Sequence, residues 1–193
     1  WNVGGVTNME AMFLGASQFQ GDVSNWDVSS VTSMGNLFSQ SSFDGDISLW
    51  NVSNVIRMYS MFGSTQFNGD LSNWEVGNVQ DMGYMFNSDT TFAGDLSNWN
   101  TASVTDMSYM FSGCLNFSSD LSDWDVSSVT SMSGMFLGTE AFQGDLNNWD
   151  VSAVENMLSM FEFSGPHRQP QRVAFPDGAH GARPSFDWDV HAP

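Results

Sequence analysis

The sequence predicts a parallel α/β solenoid in which each copy of about 25 residues supplies one short strand and one two-turn helix. Three observations predict it. Trp recurs at 1, 26, 50, 74, 99, 124 and 149, at spacings of 24 or 25. All 13 Met residues fall in two columns aligned to those Trp residues. Within each copy Val, Met, Met and Phe stand at i, i+3, i+6 and i+7, which is one face of a helix of about two turns.

The helix is read over segments such as Val79, Met82, Met85 and Phe86, with Leu37 filling one Met place. Ser29, Ser127 and Ser152 sit just before it, where a hydroxyl can cap the first free N–H groups. Two turns are too few to stand alone in water, so stacking on neighbours must hold them. The strand is read in the segment D-[LIV]-S-x-W, which is short and preceded by Gly in most copies. The one-residue variation in spacing falls between the two Phe columns, in a loop where an insertion costs little.

Six copies are complete and a seventh ends at Phe161, which gives a repeat region over 1–161. Residues 162–193 are expected to form an atypical C-terminal cap or a flexible tail. All five Pro, all three His and three of the four Arg lie beyond residue 165. The sequence opens at Trp1 in mid-copy, as expected of a fragment or processed form of a longer chain.

Charge narrows the partners. There are 22 acidic residues against 4 basic ones, and Arg57 is the only basic residue before Arg168. A surface this acidic repels nucleic acid and anionic membranes, leaving cations, basic proteins or neutral sugars. The 16 Phe and 8 Trp can build a core, unlike a disordered acidic tail. The single Cys114 excludes an intrachain disulfide. No run approaches the roughly 18 apolar residues of a membrane helix, so direct membrane insertion is not expected.

The runs WDVSSVTSMSGMF (Trp124 to Phe136) and FQGDLNNWDVS (Phe142 to Ser152) resemble the repeats of BspA-like leucine-rich-repeat surface proteins. The resemblance covers residues 1 to about 161. It implies a leucine-rich-repeat-like form of the solenoid, display outside the cell or on its surface, adhesion or protein binding, and no catalysis. Family copies often place Cys shortly after the Met-Phe pair, and here only Cys114 does so.

The Gly-Asp column gives the candidate site: Asp22, Asp46, Asp70, Asp95, Asp120 and Asp145. With them go Ser24, Ser48, Ser72, Ser97 and Ser122, with Asn147, on the expected outward face of the strand. Equivalent residues on stacked parallel strands lie roughly 4.8 Å apart. Carboxylates that close repel by roughly 1 kcal/mol per pair in water, so something must offset the repulsion. Backbone N–H groups at the turn entering the strand are the favoured answer. Ca²⁺ is the alternative, although one carboxylate per copy falls short of the usual six to eight oxygens. No other cofactor is indicated.

Other columns read as structure. Met-x-x-Met could suggest Cu(I), but an i, i+3 pair beside Phe is what a buried face needs. The Trp column reads as a stacked spine before it reads as a sugar platform. The Thr column at 7, 32, 105 and 130 is interrupted by Ile56, Gln80 and Glu155, which discounts an ice-binding ladder. Asn51-Val-Ser53 and Asn116-Phe-Ser118 fit the glycosylation triplet. The repeat region holds no His and no nucleophile or phosphate motif, so an enzyme is not expected. The expectation is an extracellular or surface-displayed module that binds protein or glycan through an extended acidic face. The alternative is a structural subunit of an extracellular assembly or coat, self-associating end to end and stabilised by calcium.

Overall fold

The computed structural model describes residues 1–164, so the expected cap or tail lies outside the described residues from 165 onward. Successive copies lie parallel and each shares one isolated β-bridge with the next: Asn8 with Ser33, Ser33 with Arg57, Arg57 with Asp81, Asp81 with Asp106, Asp106 with Ser131, and Ser131 with Asn156. Among the described residues there is no helix, and those isolated bridges are the only strand-type pairing. The α/β leucine-rich-repeat-like reading, with one helix and one strand per copy, is therefore wrong.

The hydrogen bonds show what replaces the helix. In the second copy Leu37 N–H donates to Met34 C=O at 3.1 Å and Ser39 N–H to Asn36 C=O at 3.2 Å, each closing a three-residue step. The alternate amides point the other way. Met34, Asn36, Phe38 and Gln40 donate to the carbonyls of Arg57, Tyr59, Met61 and Gly63 in the next copy, at 2.9, 2.7, 3.0 and 2.8 Å. A two-turn helix would leave its first four N–H and last four C=O groups without intrahelical partners. Interleaved turns and inter-copy bonds satisfy these groups without a helix.

The alternation needs left-handed residues. The residue two after the first Met has positive φ in every copy: Ala11, Asn36, Ser60, Tyr84, Tyr109, Gly134 and Ser159. So does the residue six after it: Gly15, Gln40, Ser64, Ser88, Gly113, Gly138 and Phe163. Right-handed helix cannot run through such positions.

The predicted strand is also a turn. Trp26 N–H donates to Val23 C=O at 3.0 Å, and Val31 N–H to Val28 C=O at 2.9 Å. Each is the i to i+3 closure of a β-turn. A three-residue apolar period thus runs through Val28, Val31, Met34 and Leu37, all buried.

These turns put every apolar column on one continuous core. Met58, Met61, Met82, Met85, Met107, Met110, Met132 and Met135 have no exposed area. Phe38, Phe62, Phe86, Phe111 and Phe136 form an aromatic column with neighbouring centroids 5.8–6.0 Å or 5.5 Å apart. Each Phe also stacks on the second Phe of its own copy, as Phe86 does on Phe92 at 3.9 Å. That second ring folds back over the Gly two residues later. A Cβ on Gly69 would lie 2.6 Å from the Phe67 ring, and one on Gly94 would lie 2.9 Å from Phe92, which explains the F-x-G-D pattern. Ser119 stands at that place in the fifth copy and accepts the Leu96 N–H at 2.9 Å.

Candidate interaction surface

The Gly-Asp carboxylates sit at the entrances of the turns that carry the aliphatic column. Asp22 Oδ1 accepts the Ser24 N–H at 2.9 Å and its hydroxyl at 2.7 Å. Asp46 does the same with Ser48 at 3.0 and 2.7 Å. Asp70, Asp95 and Asp120 accept the N–H of Ser72, Ser97 and Ser122 at 2.9, 2.9 and 3.0 Å. Asp145 accepts that of Asn147 at 3.0 Å. The side chain thereby mimics a turn of backbone, as Asp and Asn do readily. The residue between each pair, from Val23 to Leu146, points into the core.

These six Asp residues are exposed, the five Ser residues are half-buried and Asn147 is exposed. They line successive turns rather than the face of a strand. The Ser24 hydroxyl, then its N–H, holds Asp22 below the ordinary carboxylate range. For Asp46, Asp70, Asp95 and Asp120 the backbone N–H is the larger influence and the hydroxyl the second. Neighbouring carboxylates oppose this: Asp22 acts on Asp46, Asp46 and Asp95 on Asp70, and Asp95 on Asp120. The donors outweigh the repulsion.

A second row repeats the device after every Trp of the described copies except Trp74. Asp27 accepts Ser29 N–H and hydroxyl at 3.1 and 2.6 Å, and Asn51 accepts those of Ser53 at 3.1 and 2.7 Å. Asp125 does so with Ser127 at 3.0 and 2.7 Å, and Asp150 accepts Ser152 N–H at 3.0 Å. Sequence reading used these Ser residues as helix caps. They cap turns instead, and the acceptor is the Asp or Asn two residues before them. Glu75 and Gly77 break the pattern in the fourth copy. There Ser53, Asn73, Asn78, Asn98 and Asn100 line an open polar hollow of about 520 Å³.

The remaining columns are accounted for by packing and hydrogen bonds. The buried Trp indoles donate inward to the preceding copy: Trp50 to Val23 C=O, Trp74 to Ile47, Trp99 to Leu71, Trp124 to Leu96 and Trp149 to Leu121, at 2.9–3.1 Å. Thr32, Thr105 and Thr130 hydroxyls donate to Thr7, Gln80 and Thr105 carbonyls at 3.1, 3.0 and 3.0 Å. Among the described residues no three His, Cys, Asp or Glu side chains gather as a metal-holding group.

Two features were missed in the sequence. All three Tyr residues of the chain meet in consecutive copies: Tyr84 stacks on Tyr109 at 4.9 Å, and Tyr59 lies tilted against Tyr84 at 5.4 Å. Tyr84 and Tyr109 hold left-handed positions with φ of 58° and 54°. Asp81 and Asp106 occupy neighbouring bridge positions in the same copies as these two residues. Burial, ahead of the Asp106 charge, pushes the Asp81 carboxyl up. The signal was available: three Tyr within one or two places of the first Met in three successive copies. The other feature is a buried column seven residues after the first Met, comprising Ser41, Thr65, Asp89, Cys114, Thr139 and Ser164.

The molecule is a repeat protein whose near-identical copies stack by backbone bonding and aromatic columns. It belongs to the family described as "Mycoplasma protein of unknown function, DUF285", whose model matches residues 1–93 and 63–171. The membership supports the BspA-like resemblance as kinship within a repeat family; that description assigns no activity. No curated protein matches the chain. A solved leucine-rich repeat protein from Eubacterium ventriosum is similar over 75% of this chain at 14% identity, with a TM-score of 0.43. The chain spans 43% of the length of that structure.

Proposed function

We propose that this chain is a surface-displayed or secreted binding module whose rows of turn-capping carboxylates recognise a protein or a glycan. The observation that carries the reading is the regular exposure of Asp22, Asp46, Asp70, Asp95 and Asp120 along stacked copies. Hydrogen bonds from the turns keep these groups ionised, so charge is held at fixed intervals without a floppy linker. Such a row suits an extended, repetitive or basic partner better than a small molecule. The chain's net charge of −18 favours fast capture of a basic partner at low salt.

The test uses a change that the protein already contains. Asn performs the same turn-capping at Asn51 and at Asn100, where it accepts the N–H of Ser53 and Ala102. Replacing the five Asp residues by Asn therefore removes charge while leaving the turns closed. The expected result is a folded variant that loses at least tenfold in affinity for basic extracellular proteins or glycans that the parent retains on an array. Unchanged binding by the variant would remove the acidic row from the account.

A further inference from the structure

Asp89 is a carboxyl group with no exposed surface, set between Thr65 of the preceding copy and Cys114 of the following one. Its Oδ1 accepts the Thr91 N–H at 3.1 Å, the Thr91 hydroxyl at 2.9 Å and the Phe92 N–H at 3.2 Å. Its Oδ2 lies 2.8 Å from Thr65 Oγ1. That hydroxyl is also 2.7 Å from the carbonyl of Phe62. A threonine hydroxyl has one hydrogen and cannot donate to both oxygens.

The other donors of this column all give their hydrogen to a main-chain carbonyl of the Phe column: Thr139 to Phe111 C=O at 2.7 Å and Cys114 to Phe86 C=O at 2.9 Å in the copy before, and Ser164 to its own copy's Phe. Ser164 is the equivalent residue three copies away from Asp89, and its hydroxyl donates to the Phe161 carbonyl, also three residues back, at 2.7 Å. If Thr65 does likewise, the hydrogen between Thr65 Oγ1 and Asp89 Oδ2 must come from Asp89. The surroundings agree. Hydroxyls, amides, Phe rings and one thiol pack around the group, and Arg57 is the only basic side chain among residues 1–164. Arg57 acts on Asp81, in a different column. Hydrogen bonds from the Thr65 and Thr91 hydroxyls and from backbone N–H groups favour the anion, but burial is the larger influence and pushes the Asp89 carboxyl up. Burial first, and the nearby Asp89 second, also push up the Cys114 thiol, whose Sγ donates to Phe86 C=O at 2.9 Å. Cys114 thus stays a neutral neighbour.

We infer that Asp89 is a protonated acid in the folded protein at neutral pH, donating Oδ2–H to Thr65 Oγ1, and that its ionisation loosens the join between the third, fourth and fifth copies. The join is then a pH-sensitive latch: it is closed while the acid keeps its proton and weakens as pH rises through the folded-state value. An ionised Asp89 would put two acceptors face to face with no cation among the described residues to relieve them. This inference does not depend on the acidic surface row, whose members are exposed and ionised.

The test is a carboxyl ¹³C NMR titration of the full chain labelled at Asp. One resonance, absent from Asp89→Asn, is expected to keep the shift of the protonated acid at pH about 7, after the turn-capping Asp22, Asp46, Asp70, Asp95 and Asp120, all depressed, have titrated. Asn is the neutral isostere, with an N–H to offer Thr65. The melting temperature of Asp89→Asn is therefore expected to match or exceed the parent's, by a margin that widens as pH is raised. An Asp89 resonance that titrates together with the turn-capping aspartates overturns the inference, and so does a constant deficit for Asp89→Asn at every pH. The wild-type titration decides the matter even if the variant fails to fold.

Discussion

At the scale of single residues, the fold is set by two left-handed positions per copy. An L-residue there costs roughly 1–2 kcal/mol relative to the right-handed form, and Gly avoids most of that cost. Most copies nevertheless place Ala, Asn, Ser, Tyr, Gln or Phe at these positions. Inter-copy bonds such as Ser88 N–H to Ser112 C=O at 2.7 Å hold them there. Ser88→Gly should therefore stabilise the protein by about 0.5–1 kcal/mol in chemical denaturation. The reverse change at the equivalent place, Gly113→Ala, should cost about 1–2 kcal/mol. A Cβ on Gly113 meets Ser88 Cα at an ordinary 3.5 Å, so the loss would be backbone strain and not a clash. Equal stabilities for parent and both variants would show that these residues do not adopt φ near 60° in solution.

At the scale of one copy, the recurring element is a turn closed by a carboxylate or amide at its entrance. Asp22, Asp46, Asp70, Asp95 and Asp120 have depressed values in the folded state. A depressed acid contributes stability that is present above its unfolded value of about 4 and is lost as pH falls through the lower folded value. Asp81 and Asp89, raised by burial, act in the opposite sense and lose their contribution as pH rises. The melting temperature should thus fall on acidification below about pH 4. The five-residue Asp→Asn variant should show a flatter acid limb, since Asn closes the turn without titrating. An unchanged acid limb would mean that other carboxylates control acid unfolding.

The copy is also the scale at which sequence reading went wrong. Val at i, Met at i+3 and i+6, and Phe at i+7 describe one face of a helix. The first three equally describe a chain of three-residue turns. The discriminating signal was present. The three-residue step continues back through Val28 and Val31 and recurs from Val23 to Trp26, across the segment taken for a strand. A helical stripe would drift toward four. The left-handed positions were not legible, because few of them carry the Gly that usually marks positive φ. The candidate Asp and Ser residues were legible as a regular column, and their turn-closing role follows from the chemistry of Asp beside free N–H groups. The Tyr row and the Asp89 join escaped notice because alignment by consensus hides the positions where copies differ.

At the scale of the whole molecule, stability comes from repetition. From the third copy to the sixth, neighbouring copies bury every Phe, Met and Trp of the repeat columns, and each buried indole N–H reaches a carbonyl of the copy before it. The repeat length, the core columns and the polar surface were readable because stacking forces equivalent residues into register. The path of the chain within a copy was not, since it depends on where each amide finds its acceptor. That choice is the central claim, and NMR couplings transmitted across hydrogen bonds test it most directly. The account predicts couplings from the amide nitrogens of Asn36, Tyr84 and Tyr109 to the carbonyl carbons of Tyr59, Ser108 and Ser133 in the following copies. Couplings from those amides to carbonyls four residues earlier in the same copy would restore the helix and contradict it.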